Sequence, residues 1–372
     1  MRPSVYVHIP FCETKCPYCD FNSFAAKGRD VDGYLDALAR EMDARGVERT
    51  PPTLFIGGGT PTVVTETQLA RYLTDITARL DPDPDREFTV EANPGSLTRE
   101  KVAILVEHGV NRVSLGAQSF FQKHLRTLGR VHEVADIEKA YRMIVESGID
   151  NVNLDLIHSV PGLTRHEWIE TLDRALDLRP PHLACYALIF EPGTEFFARR
   201  TAGTLKPVDE NLELSMFRWT ERRLARAGLR RYEISNFARP GRECRHNLRY
   251  WRNETYLGFG AGAFSFVGGE RLGNERHLER YAERVLETGS AVISCERLAA
   301  EKAAAESMVL GLRMSEGADL DEIGRRHGLD ARALFAPTVE RLSGGGFLVT
   351  GERVRLARRG WRVADTVMAE FL

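Results

Sequence analysis

Short runs of apolar and β-branched residues punctuate the first half of the chain: VYVHI at 5–9, TLFIG at 53–57, EFTVEA at 87–92, RVSLGA at 112–117, NVNLDLI at 151–157 and HLACYAL at 182–188. Several are apolar almost throughout, as strands buried on both faces must be. Helical periodicity fills the gaps. Val31, Leu35, Leu38 and Met42 recur at helix spacing, as do Leu69, Leu73 and Ile76. Thr65 with Gln68, and Thr164 with Glu167, have the form of capping boxes that start helices.

Six strand-then-helix units in succession predict a parallel sheet with right-handed crossovers. Six units are too few for a closed eight-stranded barrel, so the expected fold is α/β, a partial (β/α)6 barrel. Functional residues should then gather at the C-terminal ends of the strands. The loop after the first strand, GGGTP after the second, and Glu91 closing the third all fall there. The alternation fades after about residue 195, and the pattern divides the chain into 1–207, 208–300 and 301–372. The second part opens on a helix over 208–228, continues through an aromatic-, Gly- and Arg-rich stretch over 231–266, and is expected to be helical over about 275–310. The third part reads as helix, turn, helix, β-hairpin and final helix, a small winged-helix-like unit.

Composition narrows the class. With 372 residues, 43% hydrophobic and 28% charged, the chain reads as an ordinary globular protein. A formal net charge of −2 gives no general attraction for nucleic acid or anionic membrane. No signal peptide and no run of 18 apolar residues is found, so a cytoplasmic, reducing setting is expected. There, clustered cysteines bind metal or do chemistry more often than they form disulfides.

Cys12, Cys16 and Cys19 form such a cluster, at spacings of four and three positions. Zinc is one reading, with His8 as a fourth ligand, but His8 lies inside the first strand. A [4Fe–4S] cluster held by three cysteines keeps one iron without a protein ligand, and that iron can bind a small molecule. Cys185, Cys244 and Cys295 are scattered. A second stretch, HNLRYW at 246–251, brings an imidazole beside flat aromatics, with Arg245 and Arg249 nearby as anion partners. GFGAGAF at 258–264 lacks the G-x-G-x-x-G spacing of a dinucleotide site and reads as tight packing near the barrel.

The cysteine spacing, with Tyr18 before the third cysteine, resembles the radical S-adenosylmethionine (SAM) superfamily, whose fold is the partial barrel inferred above. HIPFC, GGGTPT, RVSLGAQSF and VNLDLI resemble the group containing oxygen-independent coproporphyrinogen III oxidase and its HemW-type relatives. The resemblance implies a [4Fe–4S] cluster on Cys12, Cys16 and Cys19. It implies a SAM site lined by Tyr6, Tyr18, Gly58, Gly59, Thr60, Glu91, Gln118, Arg130 and Asp155. HNLRYW matches the HemW-type His-Asn-x-x-Tyr-Trp motif, which implies heme binding at His246, Asn247, Tyr250 and Trp251. Cys244 is a second-choice ligand, and Glu233 and Asn236 are further candidates for porphyrin or SAM. Phe21 stands where the oxidase has a fourth cysteine, and only eleven residues precede Cys12. Both features favour a heme carrier over the decarboxylating oxidase, which stays as the alternative, and leave open whether SAM is cleaved. The carrier reading implies acceptor hemoproteins as partners, peripheral contact with membrane respiratory proteins, and a homodimer in equilibrium with the monomer.

Overall fold

The computed structural model describes residues 2–372. Six strands lie side by side in chain order and all parallel: β1 (Ser4–Ile9), β2 (Thr53–Gly58), β3 (Glu87–Ala92), β4 (Arg112–Gln118), β5 (Asn151–His158) and β6 (His182–Ala187). Helices α1 (Val31–Arg45), α2 (Glu66–Thr77), α3 (Arg99–Glu107), α4 (Val134–Glu146) and α5 (Arg165–Asp177) make the crossovers. Both expected capping boxes form, at Thr65–Gln68 and Thr164–Glu167. β1 does not pair with β6, so the barrel is open, as six units require.

Side chains alternate along these strands. Val5, Val7, Ile9, Leu54, Ile56, Val90, Val113, Leu115, Val152, Leu154 and Leu183 join the helices in one continuous apolar core. Their neighbours turn to the other face, the barrel lumen. The lumen is polar: His8, Glu87, Thr89, Arg112, Ser114, Asn153 and His182 are all buried.

The sheet continues past both ends of the parallel core. After α6 (Glu210–Arg226) come the short strands β7 (Arg230–Arg231) and β8 (Asn236–Ala238); β8 adds antiparallel to β6, and β7 pairs antiparallel with β8. Helix α7 (Arg245–Trp251) follows, and β9 (Tyr256–Phe259) then returns parallel to β1. Strands β10 (Phe264–Val267), β11 (Glu270–Asn274) and β12 (Val292–Arg297) complete a twelve-stranded sheet of the described residues. β12 corrects the expectation of helix across 275–310. Helix α8 (Leu278–Thr288) stops at Gly289, whose left-handed backbone ends it, and the β-branched pair Val292–Ile293 then extends the sheet edge.

One buried carboxylate ties this extension to the barrel. Glu41 on α1 accepts from Gly260 N and Tyr281 Oη at 2.8 Å each and from Asn274 Nδ2 at 2.8 Å, and it pairs with Arg45 at 2.7 Å. All its lone pairs are engaged, which is the condition for burying a charge. The Gly-rich segment packs as tightly as expected: a Cβ on Gly258 would lie 1.9 Å from Phe264 O. The last part of the chain, α9 (Ala300–Leu312), α10 (Leu320–His327), α11 (Ala331–Gly344), a hairpin pairing Leu348–Val349 with Arg355–Leu356, and α12 (Ala364–Ala369), has its own apolar cluster. Among the described residues no helix is long and apolar enough to cross a membrane.

Candidate functional site

The loop after β1 folds back on itself: Phe11–Cys12 pairs with Phe24–Ala25. Asn22 anchors it. Its Nδ2 donates to Ala261 O and Arg276 O, both at 2.9 Å, while its backbone carbonyl accepts from His8 Nε2 at 2.8 Å. That last bond places the His8 proton on Nε2, so Nδ1 accepts from the Tyr6 hydroxyl at 2.9 Å. The Gly-rich segment thus has a task the sequence did not show, which is to seat the cysteine loop.

The loop brings Cys12, Cys16 and Cys19 to the rim of a cavity of about 330 Å³ at the C-terminal ends of the strands. Tyr18, Gly58, Gly59, Thr60, Glu91, Gln118, Arg130 and Asp155 line the same cavity. Among the described residues no three His, Cys, Asp or Glu side chains close round a single-ion site, so the thiols border the cavity rather than meeting at a point. Gly59 N donates to Ile9 O at 2.9 Å and Thr60 N to Phe11 O at 2.7 Å. A Cβ on Gly59 would stand 2.5 Å from Phe11 O and 2.9 Å from Cys12 Sγ, so only glycine allows this approach. Burial pushes the Cys12 and Cys19 thiols above their ordinary pKa.

Arg130 supplies the cavity's cation. Its Nη1 donates to Cys16 Sγ at 3.8 Å and Nη2 to Gly116 O at 3.2 Å, while the buried Nε has no partner. The cavity also holds two carboxylates. Glu91 Oε2 accepts from Gly58 N at 3.1 Å; burial, with the charge of Asp155, raises its pKa to about 8. Asp155 is likewise pushed up by burial, against bonds from Asn153 and Ser114. Gln118 closes β4 at φ 62°, beside a register break between β4 and β5. A left-handed glutamine costs conformational energy, and such strain concentrates where a side chain must be aimed.

Further cavity residues escaped the sequence reading. Ser114 and Gly116 share the inward period of β4 with Gln118, and Tyr186 shares that of β6 with His182. Strict alternation along each strand was the signal. Phe21, Tyr186 and Ile189 are exposed and give the mouth an apolar rim. Tyr6 does not line the cavity; it lies beneath, its ring stacked on Phe55 at 6.1 Å.

The HNLRYW motif lies at the opposite end of the barrel. Helix α7 presents its N-terminus to Glu87, the first residue of β3, whose carboxylate accepts from Arg245 N and His246 N at 2.9 Å each. His246 has no exposed surface. Its Nδ1 lies 2.7 Å from Thr53 Oγ1 and its Nε2 2.9 Å from Tyr250 Oη, so neither nitrogen is free for a heme iron in this conformation. Arg249 pairs with Glu254, and Arg245 donates to Asp85 O and Pro52 O. Asn247 is half-buried, and Trp251 lies under Arg313, with Cζ 4.2 Å from the ring centroid. Cys244 is fully buried, with its pKa pushed up to about 12 by burial, which makes it an inert thiol.

Comparison with known proteins matches this layout. The radical SAM superfamily model covers residues 6–175, and the HemN C-terminal domain model covers 298–363. A Bacillus subtilis protein described as heme chaperone HemW is 38% identical over 374 residues, with 99% of each chain covered. The heme chaperone HemW of Escherichia coli is 40% identical over 270 residues, 71% of this chain and 70% of that one. Among solved structures, the Escherichia coli radical SAM enzyme coproporphyrinogen III oxidase (HemN) superposes with a TM-score of 0.87 at 25% identity, covering 100% of this chain and 90% of that one. With a cysteine-bordered cavity at the barrel mouth and 38% identity to the Bacillus subtilis relative over nearly the whole of both chains, the chain belongs to the HemW family of the radical SAM superfamily.

Proposed function

We propose that this protein is a heme carrier that holds a [4Fe–4S] cluster on Cys12, Cys16 and Cys19, SAM in the cavity beside it, and heme for delivery to acceptor hemoproteins. The observation that carries the cofactor reading is the shared cavity: three thiols, a glycine backbone without Cβ obstruction, and an arginine with an unpartnered buried Nε. A cluster bound by three thiolates supplies an open iron and one electron at a time.

The chain's own groups account for the rest of the site. Arg130 lines the cavity and offers its guanidinium to a carboxylate, a charge-assisted bond that is strong where water is excluded. Glu91 and Asp155 accept from an ammonium or from ribose hydroxyls. The Gly57–Gly59 backbone allows a ligand to approach without a Cβ. Heme carriage rests on the relatives' shared name and on Phe21, which replaces a fourth cysteine at the rim. For His246 to ligate heme, Tyr250 must first release Nε2.

The test is anaerobic reconstitution followed by SAM with either heme or coproporphyrinogen III. Iron and sulfide incorporation, SAM binding and a saturable heme spectrum are expected. Tyr250→Phe should tighten heme binding by freeing Nε2, and His246→Ala should weaken it. Decarboxylated porphyrin as the product would overturn the carrier reading in favour of the oxidase, whose fold this chain shares. Zinc with no iron uptake would sink the cluster assignment.

A further inference from the structure

A row of buried side chains runs from the cavity floor toward α7. Asn153 Nδ2 donates to Asp155 Oδ1 and to Ser114 Oγ, both at 2.8 Å, and Ser114 Oγ donates to Asp155 Oδ2 at 3.0 Å. On the far side, Asn153 Oδ1 lies 2.6 Å from His182 Nδ1, and His182 Nε2 lies 2.9 Å from Tyr232 Oη. Tyr232 Oη also accepts from Cys244 N at 3.3 Å. His182 and Asn153 are buried, at 0% and 2% exposure, and His182 does not line the cavity.

The proton positions follow from the partners. A carbonyl oxygen only accepts, so His182 Nδ1 carries the hydrogen. Burial keeps the ring neutral, with Arg112 adding to the effect, so Nε2 is a lone pair that accepts from the Tyr232 hydroxyl. The Asp155 carboxylate orients the Asn153 amide, and the His182 Nδ1–H holds that amide in place. Its oxygen must face His182, which turns both of its N–H groups toward Ser114 and Asp155. Flipped by 180°, the amide would set an oxygen 2.8 Å from a carboxylate oxygen, two acceptors with no hydrogen between them.

We propose that His182 is a positioning residue of the SAM site: its Nδ1–H locks the Asn153 amide, which with Ser114 holds Asp155 with its remaining lone pairs toward the cavity. This rests on the reading that SAM occupies the cavity. His182 then acts on the ligand through two intervening hydrogen bonds and touches neither SAM nor the cluster. Alternation along β5 and β6 makes the arrangement, because Asn153 and Asp155 project inward two residues apart and His182 pairs with Asn153 across the two strands.

Two substitutions separate positioning from packing. In His182→Asn the amide nitrogen replaces Nδ1 and keeps the donor to Asn153, while the Tyr232 link is lost. In His182→Gln the amide reaches the place of Nε2 and keeps the Tyr232 link, while the donor to Asn153 is lost. Each variant gives up one buried hydrogen bond, so their thermal midpoints should fall alike. SAM affinity of the cluster-loaded proteins should not: His182→Asn is expected within about threefold of the parent, and His182→Gln about tenfold or more weaker. Equal losses, or a parent-like His182→Gln, would overturn the proposal. A parent protein that holds its cluster yet binds no SAM would overturn the functional reading instead. Should neither variant fold, Tyr232→Phe decides: it keeps Nδ1–H in place and should leave SAM affinity unchanged, so a comparable loss there would refute the positioning route.

Discussion

Glu91 gives the sharpest test of the cavity's electrostatics. Its carboxyl, near the end of β3, lines the cavity and receives only the Gly58 N–H, so burial raises its pKa to about 8 from an ordinary value near 4.5. The folded, ligand-free protein therefore keeps Glu91 protonated where the unfolded chain has lost that proton. Its contribution to stability is fully present below about pH 4.5 and is lost as pH rises through about 8. A cationic ligand reverses the balance, because it binds the ionised form. At pH 7 only about one free site in ten carries the ionised carboxylate. SAM affinity should then rise about tenfold per pH unit from 6 to 7 and level off above about 8. The neighbouring Asp155, Arg130 and Arg112 contribute their own dependence, which Glu91→Gln isolates, since that variant should lose most of the slope. Calorimetry of SAM binding to the anaerobic cluster-loaded protein, in two buffers of different ionisation enthalpy, measures both the affinity and the protons released. A flat affinity from pH 6.5 to 8.5 with no proton release would refute the reasoning.

Other perturbations probe the supports of the site. Asn22→Ala removes two hydrogen bonds that pin the cysteine loop, each worth about 1 kcal/mol, and should speed loss of iron–sulfur absorbance to a chelator; an unchanged rate would show that the loop is held elsewhere. Gly59→Ala must displace Phe11 O or Cys12 Sγ, so reconstituted iron per chain should fall sharply while far-ultraviolet circular dichroism stays native; full cluster occupancy would contradict the close approach. Glu87→Gln turns an amide N–H toward the N–H groups of Arg245 and His246 and should cost about 1–3 kcal/mol in urea unfolding, a loss that parent-like stability would disprove.

The six strands, their order and the helices between them were legible because short apolar, β-branched runs and the period-3.6 patterns between them are local and strong over 5–188; the polar, inward-facing positions within those strands showed only in the folded chain. The edge strand Val292–Arg297 was not. It is exposed along most of its length, so no buried face marks it, and the adjoining helical composition masked it. The cavity residues fall in two groups. Cys12, Cys16, Cys19, Gly58, Gly59 and Glu91 stand at strand ends that the pattern already located. Gln118, Arg130 and Asp155 came through family resemblance, and Ser114 and Tyr186 were read only from the folded chain.

What the sequence determined by itself was the alternation that makes an open parallel barrel and the cysteine spacing that sets three thiols on one loop, since both depend on residues close in the chain. What only the tertiary structure decided was the place of HNLRYW. A histidine among aromatics reads equally well as an open ligand site or as a sealed plug. The contacts that make it a plug, Thr53 and Glu87, lie more than 150 residues away. The same holds for Asn22, whose amide finds its acceptors on Ala261 and Arg276, and for His182, whose task appears only once β5 and β6 lie side by side. Side-chain hydrogen bonds across such separations leave no periodic trace, because nothing local requires either partner until the chain has closed.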